Sequence, residues 1–332
     1  MRILSKRQLR ELLRLPGKLR RQRRTRRRIA VAARKPGPPR LEPVWPLPRA
    51  PAGPSDAEIE RRFREHLGWQ YTYEFEGQLA CAERHTAQPF GHRDGDAGRR
   101  AARGARPLQR FRHFMPWLVQ AAGGTLCGRR VLDIACNSGF WSLQCALLGA
   151  REVIGFDARP ELIEQANLLR TIVGLRNVDF RVLDFWDMSE AALGGRFDVV
   201  LNLGVLYHLP DPLQALERTR RMAADLILLD TAVHASDAPL IRLDWETSED
   251  VWSAAAGGLV QLPSKRSVEL MLRHVGLGDF SEIPLRSADM PPDYLTGRRA
   301  SWLIRIDNIP SAPSPDPPCS GYSAGRLRPG VP

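Results

Sequence analysis

The chain has 332 residues, with 49 Lys and Arg against 37 Asp and Glu, a formal net charge of +12. That length accommodates one large α/β domain with appendages, and no run of about 18 apolar residues offers a transmembrane segment. The basic excess does not mark the folded body as a nucleic-acid binder: 16 of the Lys and Arg stand in residues 1–40 beside the single acid Glu11, which leaves the other 292 residues at −3.

The first segment opens on a candidate amphipathic helix, capped by Ser5 and carrying Leu9, Leu12 and Leu13 among Arg7, Arg10 and Arg14. A cationic run from Arg20 to Arg28 follows, then eight prolines within residues 36–54, which predict an extended linker that packs on nothing. Residues 1–54 are therefore expected to form a basic, disordered, proline-rich tail. The tail could contact an RNA backbone, lie on an anionic membrane surface, serve as an organelle transit segment, or stay a solvated chain. No apolar stretch near the N-terminus predicts a secretory signal.

Ser55 is placed to cap a helix over Asp56 to His66, the start of a helical cap segment expected over 55–106. Gly91 to Arg106 is Gly/Arg-rich and reads as a loop. Phe111, Phe114, Met115 and Leu118 then recur at helical spacing between Leu108 and Ala122. Strands are expected at 131–134, 152–156, 178–183, 197–202 and 226–229, with helices at 139–149, 159–172 and 211–223 between them. These strands are Val/Ile/Leu runs with little alternation, the mark of a parallel sheet buried on both faces. A further helix is expected over Ser264 to Val275 and a late strand over Trp302 to Ile306. The seven prolines of 310–332 leave that end without core-forming residues, so 309–332 is expected to be a second disordered tail.

The five cysteines, Cys81, Cys127, Cys136, Cys145 and Cys319, are odd in number and lack CxxC spacing. They predict a reducing, cytoplasmic setting without a disulfide framework or zinc site. His66, His85, His92 and His113 are scattered without a carboxylate pattern, so no metal site is expected.

The densest information lies in Val131-Leu-Asp-Ile-Ala-Cys-Asn-Ser-Gly-Phe-Trp141. An apolar strand ends in Asp133, passes a short loop of small residues, and enters a helix. A second strand ends on Asp157, 24 residues later. Strand, tight loop, helix, strand and terminal acid form a nucleotide-binding half-fold, with Asp157 suited to a ribose diol. Of the three glycines in the dinucleotide fingerprint only Gly139 is present, which argues against a diphosphate ligand. Asn137 tolerates positive φ, and Gly139 leaves room for close approach.

With Gly155-Phe-Asp157, Leu183-Asp184 and Phe197-Asp-Val-Val-Leu-Asn-Leu-Gly-Val-Leu-Tyr-His208, the ordered motifs resemble class I S-adenosylmethionine-dependent methyltransferases over about residues 107–308. The resemblance implies a Rossmann-like seven-stranded α/β sheet, mostly parallel with an antiparallel last strand and helices on both faces. It implies S-adenosyl-L-methionine as cofactor, with its methionine part near Asp133 and the loop Ala135, Cys136, Asn137, Ser138 and Gly139. Asp157 would hold the ribose, Asp184 and Phe185 would border the adenine, and Asn202 would complete the cofactor set at the end of the fourth strand. Ala135 stands where the family usually has Gly. Within the superfamily, Cys-Asn-Ser-Gly-Phe-Trp and Gly-Val-Leu-Tyr-His-Leu are similar to the tRNA wobble-uridine 5-oxyacetic acid synthases and related methyltransferases.

His208 is the candidate general base, or else it caps the loop before Pro210; Tyr207 lines the substrate pocket or fills the sheet edge. Asp230 and His234 form a second acid–base set or are loop polars. Trp245 and Trp252 form an aromatic wall or lie buried in a lid. The expected activity is methyl transfer to O or N of a small or medium-sized acceptor. The alternatives are methyl or carboxymethyl transfer to a tRNA wobble uridine, helped by RNA contacts of the basic tail, and an inactive methyltransferase fold that binds nucleic acid. Oligomeric state has no signature in the sequence.

Overall fold

A computed structural model describes residues 36–66, 69–77, 97–246 and 257–306, with Thr25, Ile29, Ala30 and Ala255. The candidate helix at Ser5, the Arg20–Arg28 run apart from Thr25, Trp252 and the 309–332 tail lie outside the described residues.

Seven strands form one sheet in the order β3-β2-β1-β4-β5-β9-β8. β1 (Arg130–Ile134), β2 (Glu152–Asp157), β3 (Val178–Val182), β4 (Phe197–Leu203) and β5 (Ala223–Ala232) run parallel, and β9 (Arg299–Arg305) pairs antiparallel with β5 and with the edge strand β8 (Phe280–Glu282). This is the mostly parallel sheet with an antiparallel last strand expected from the motifs. The helices are α1 (Asp56–Glu65), α2 (Ala97–Ala121), α3 (Phe140–Leu147), α4 (Pro160–Val173), α5 (Glu190–Leu193), α6 (Pro212–Met222), α7 (Lys265–His274) and α8 (Pro292–Leu295).

Successive strand residues point to opposite faces, and the core divides accordingly. Val131, Val199, Leu201 and Leu228 pack with Phe111, Phe114, Met115 and Leu118 of α2. Leu132, Ile134, Val200 and Leu229 pack with Ala215 and Leu216 of α6, Val268 and Leu272 of α7, and Trp302. Each side chain of this size buried contributes about 1.5–3 kcal/mol. The two-faced burial explains why these strands show no hydrophobic alternation in sequence.

Two segments fold otherwise than expected. The loop predicted for Gly91 to Arg106 is helical from Ala97 onward, and α2 runs through Pro107 and Pro116. Its first turns are rich in Ala and Arg, good helix formers, and these outweigh Gly98 and Gly104.

The proline-rich segment 36–54 is extended but packed. Leu41 and Leu47 are buried in the main core, and Val44 and Trp45 lie against it. Val44 N donates to Gln144 Oε1 (2.9 Å) and Gln144 Nε2 returns a bond to Val44 O (3.0 Å). Ala50 N donates to Ile172 O (2.8 Å), and Leu47 pairs with the 74–76 backbone through Leu47 N to Glu74 O and Glu76 N to Leu47 O. Proline fixes an extended backbone and removes donors that would otherwise need partners, which suits a strap laid across a core as well as it suits a free linker. The strap and residues 69–75, where Trp69, Tyr71, Tyr73 and Phe75 are buried at every second position, share the α2 core.

A separate two-stranded sheet, β6 (Ile241–Glu246) with β7 (Gly258–Pro263), projects between β5 and α7. Cys136 and Cys145 are free and buried, while Cys127 is disulfide-bonded, contrary to the expectation of a chain without disulfides. Among the described residues, no helix is long and apolar enough to cross a membrane.

Candidate active site

The carboxyl ends of β1, β2 and β4 open on one cavity of about 840 Å³, within the range of small-molecule sites. The loop after β1 makes its floor. Ala135, Asn137 and Gly139 all have left-handed φ, +52°, +53° and +83°. Asn137 accommodates this by accepting Ser138 N at its own Oδ1 (2.7 Å). Gly139 caps α3, and a Cβ there would come within 2.5 Å of Phe180 Cζ, so no other residue fits. Ala135 has no such compensation, and a left-handed alanine costs about 1–2 kcal/mol. Ala135→Gly is therefore expected to stabilise the protein by up to about 1 kcal/mol once glycine's chain entropy is subtracted. Denaturant unfolding measures this, and a loss of stability would show that the contacts of the Ala135 methyl group with the core around Leu132 and Ile134 outweigh the backbone strain.

Asp133 is fully buried on the α2 face of β1 and accepts Ser142 Oγ at 2.6 Å. Burial, only partly opposed by Ser142, pushes its carboxyl up to about 7. Asp157 ends β2; its Oδ2 accepts Asn137 N and its Oδ1 accepts Arg159 N, each at 3.1 Å. A carboxylate carries about four lone-pair sites, so Asp157 keeps acceptor capacity toward the cavity. Burial raises the Asp157 carboxyl above its ordinary range, against the bonds from Arg159 and Asn137. Burial also raises the Cys136 thiol well above its usual range, so it is held protonated.

Asp184 caps the turn Phe185–Asp187 by accepting Trp186 N at 2.8 Å, and Phe185 meets Trp186 edge-on at 5.1 Å. Both aromatics line the cavity. On the opposite wall, Tyr207 and His208 end the turn after β4, their ring centroids 3.8 Å apart, and His208 Nδ1 lies 2.7 Å from Glu246 Oε2.

The cavity thus brings together Asp133, Ala135, Cys136, Asn137, Asp157, Asp184, Phe185, Tyr207 and His208. Ser138, Gly139 and Asn202 do not line it. Ser138 is buried, with its hydroxyl 2.7 Å from Tyr73 OH. Asn202 shares the face of Val200, opposite to that of Leu201 and Asp133, and its Nδ2 donates to Thr219 Oγ1 of α6 at 3.1 Å. Strand parity turns it away from any ligand in the cavity.

Sequence reasoning missed the arginine wall. Arg106, Arg110 and Arg299 line the cavity. Arg110 (2.7 Å) and Arg299 (2.7 Å) donate to Oδ1 of buried Asp230, while Tyr294 (2.6 Å) and Ser301 (2.7 Å) donate to its Oδ2. Burial works to raise the Asp230 carboxyl, but Arg299 and Arg110, with Tyr294 and Ser301, outweigh it and hold it below the usual carboxylate range. Arg106 pairs with Asp293 through two bonds, at 3.0 and 2.6 Å. Three guanidiniums thus face two carboxylates, and Arg299 also stacks over Tyr207 at 5.5 Å. Asp230 belongs to this cluster rather than to a set with His234, whose backbone N donates to Pro263 O at 2.9 Å. Trp245, at 72% exposure, points to solvent and forms no wall over the cavity. Among the described residues, no group of three or more His, Cys, Asp or Glu is arranged to hold a metal ion.

The sequence profile of a family described as "Methyltransferase domain" matches residues 100–281, and the chain belongs to that family. It is 26% identical over 198 residues to the tRNA U34 carboxymethyltransferase of Campylobacter hominis, covering 58% of this chain and 64% of that protein. It is 44% identical over 95 residues to the ubiquinone biosynthesis O-methyltransferase of Cereibacter sphaeroides, covering 29% of this chain and 37% of that protein. The chain therefore spans less than two thirds of the length of each of these relatives. The fold is also that of the N-terminal domain of EvdMO1, solved in the presence of SAH and D-fucose, with a TM-score of 0.54 and 22% identity over 77% of this chain and 98% of that one. The expected resemblance to class I methyltransferases near the tRNA wobble-uridine group agrees with these findings.

Proposed function

We propose that the chain is an S-adenosylmethionine-dependent methyltransferase acting on oxygen or nitrogen of a small or medium-sized acceptor. The observation that carries this reading is the convergence of Asp133, Asp157 and His208, from the ends of three neighbouring strands, on one cavity. Asp157 accepts the two ribose hydroxyls, Phe185 and Trp186 flank the adenine with Asp184 at its edge, and Asp133 faces the ammonium of the methionine part. The cofactor supplies an electrophilic methyl group on a sulfonium. The protein's part is to align the acceptor and take its proton, and His208 is the group at the cavity wall suited to that transfer.

A second reading is carboxymethyl transfer to a tRNA wobble uridine. Similarity to the Campylobacter hominis enzyme favours it, as does the surplus positive charge of the arginine wall beside Tyr207, which would suit a carboxylate. The basic residues 1–40 would then engage the RNA backbone.

Calorimetric titration of the full chain with S-adenosylmethionine, followed by incubation of the labelled donor with host-cell extract, tests both. Binding and label in a small-molecule fraction support the first reading. Label in tRNA, or transfer only from a carboxymethylated donor, supports the second. Folded protein that binds neither donor overturns both and leaves an inactive methyltransferase fold.

A further inference from the structure

His208 ends the turn Leu206–His208, and its Nδ1 meets a carboxylate 38 residues further along the chain, Oε2 of Glu246, at 2.7 Å. A carboxylate can only accept, so the proton in this bond belongs to Nδ1. The lone pair of the neutral ring then lies on Nε2, on the far side from Glu246.

The geometry points to Glu246 as a positioning residue that fixes His208 in the Nδ1–H tautomer and leaves Nε2 as the basic nitrogen at the cavity wall. The carboxylate is delivered by the β6–β7 hairpin and not by the main sheet. Ser264 N to Leu240 O (2.8 Å) closes the base of that hairpin, and His234 N to Pro263 O (2.9 Å) ties it to the chain that leaves β5. Gln261 Nε2 donates to Pro210 O, two residues beyond His208. The bond that seats the hairpin and the bond that sets the tautomer therefore hold the same turn.

Along β6, Ile241, Leu243 and Trp245 alternate with Arg242, Asp244 and Glu246; the strand is exposed up to Trp245, and Glu246 at its end is half-buried against His208. Ala255, Gly257 and Leu259, from the tip and β7, line the cavity. An acceptor in the cavity thus touches the element that completes the base, and His208 is competent only while the hairpin is seated. The role in transfer rests on the reading of His208 as proton acceptor; the tautomer does not.

Nitrogen NMR of the full chain carrying 15N-histidine, with His208 assigned by loss of its signals in His208→Gln, reads the tautomer without any acceptor. Nδ1 is expected to be protonated and Nε2 bare in the wild type. In Glu246→Gln, whose amide can either accept from or donate to Nδ1, both tautomers should be populated. A wild-type ring protonated at Nε2, or an unchanged tautomer in folded Glu246→Gln, overturns the proposal. Calorimetric titration with S-adenosylmethionine checks that the variant is folded, with affinity expected within about twofold of wild type.

On the extract fraction that accepts label, Glu246→Gln should transfer roughly tenfold to a hundredfold more slowly. An unchanged rate overturns the role in transfer. Absence of binding and label in the wild type itself would instead sink the methyltransferase reading, with the tautomer measurement still decisive for Glu246.

Discussion

Asp230→Ala is expected to destabilise the fold by about 3–5 kcal/mol, because it leaves Arg110 and Arg299 buried with one counter-charge removed. The same change strips Tyr294 and Ser301 of their acceptor. For a chain of this size the loss corresponds to a fall in Tm of roughly 10 °C, read by circular dichroism. Asp230→Asn keeps the shape but not the charge and should fall between the two. The dependence on pH follows from the depressed carboxyl. Its folded value lies below the unfolded value of about 4, so the stabilisation is fully present above pH about 4 and is lost as pH falls through the folded value. The gap between wild type and variant should therefore narrow below pH about 4. A variant within about 1 kcal/mol of wild type at neutral pH would mean that the two guanidiniums find other partners.

Asp157→Ala should weaken S-adenosylmethionine binding at least about a hundredfold. Two hydrogen bonds to a charged acceptor are worth about 1.5–3 kcal/mol each, and every 1.4 kcal/mol is tenfold in affinity. The carboxylate also orders the loop by accepting Asn137 N and Arg159 N, so part of the loss will be preorganisation. Asp157→Asn retains one acceptor oxygen and separates the two contributions: it should recover the thermal stability of the wild type more fully than its affinity. An affinity of Asp157→Ala within about threefold of wild type would remove Asp157 from the ribose role.

Both predictions concern residues whose legibility in the sequence differs sharply. Asp157 was visible because everything that defines it is local: an apolar strand, a terminal acid, and a fixed distance from the first strand and its glycine loop. The five parallel strands were visible for the same reason, as buried runs bounded by helical pattern. Asp230 was visible only as an acid after a strand. Its partners stand 120 residues before it and 64–71 residues after it, and no spacing in the chain announces them.

Asn202 shows the opposite case. The motif after the fourth strand drew it into the cofactor set, yet the parity of β4 puts it with Val200 on the α6 face. Counting alternate positions from Leu201, which shares the cavity face with Asp133, would have placed it correctly. The β6 strand of the hairpin has a local signal: Ile241 to Glu246 alternates apolar and charged residues with period two. The packing of the proline-rich strap is not legible in sequence, because composition reports what a backbone cannot do and says little about whether Leu41 and Leu47 have a surface to lie on.

That strap sets a boundary for any attempt to ask what the cationic N-terminus does. A truncation carried to residue 50 would remove the arginine cluster and, with it, Leu41, Leu47 and the reciprocal bonds between Val44 and Gln144 on α3, the helix that begins at the Ala135–Gly139 loop. Lost activity in such a protein would report a loosened α3 as readily as a lost RNA contact. A cut before Pro36 takes 15 of the 16 basic residues of the first 40 while sparing every strap contact described; an Arg40→Ser exchange at unchanged length would remove the last.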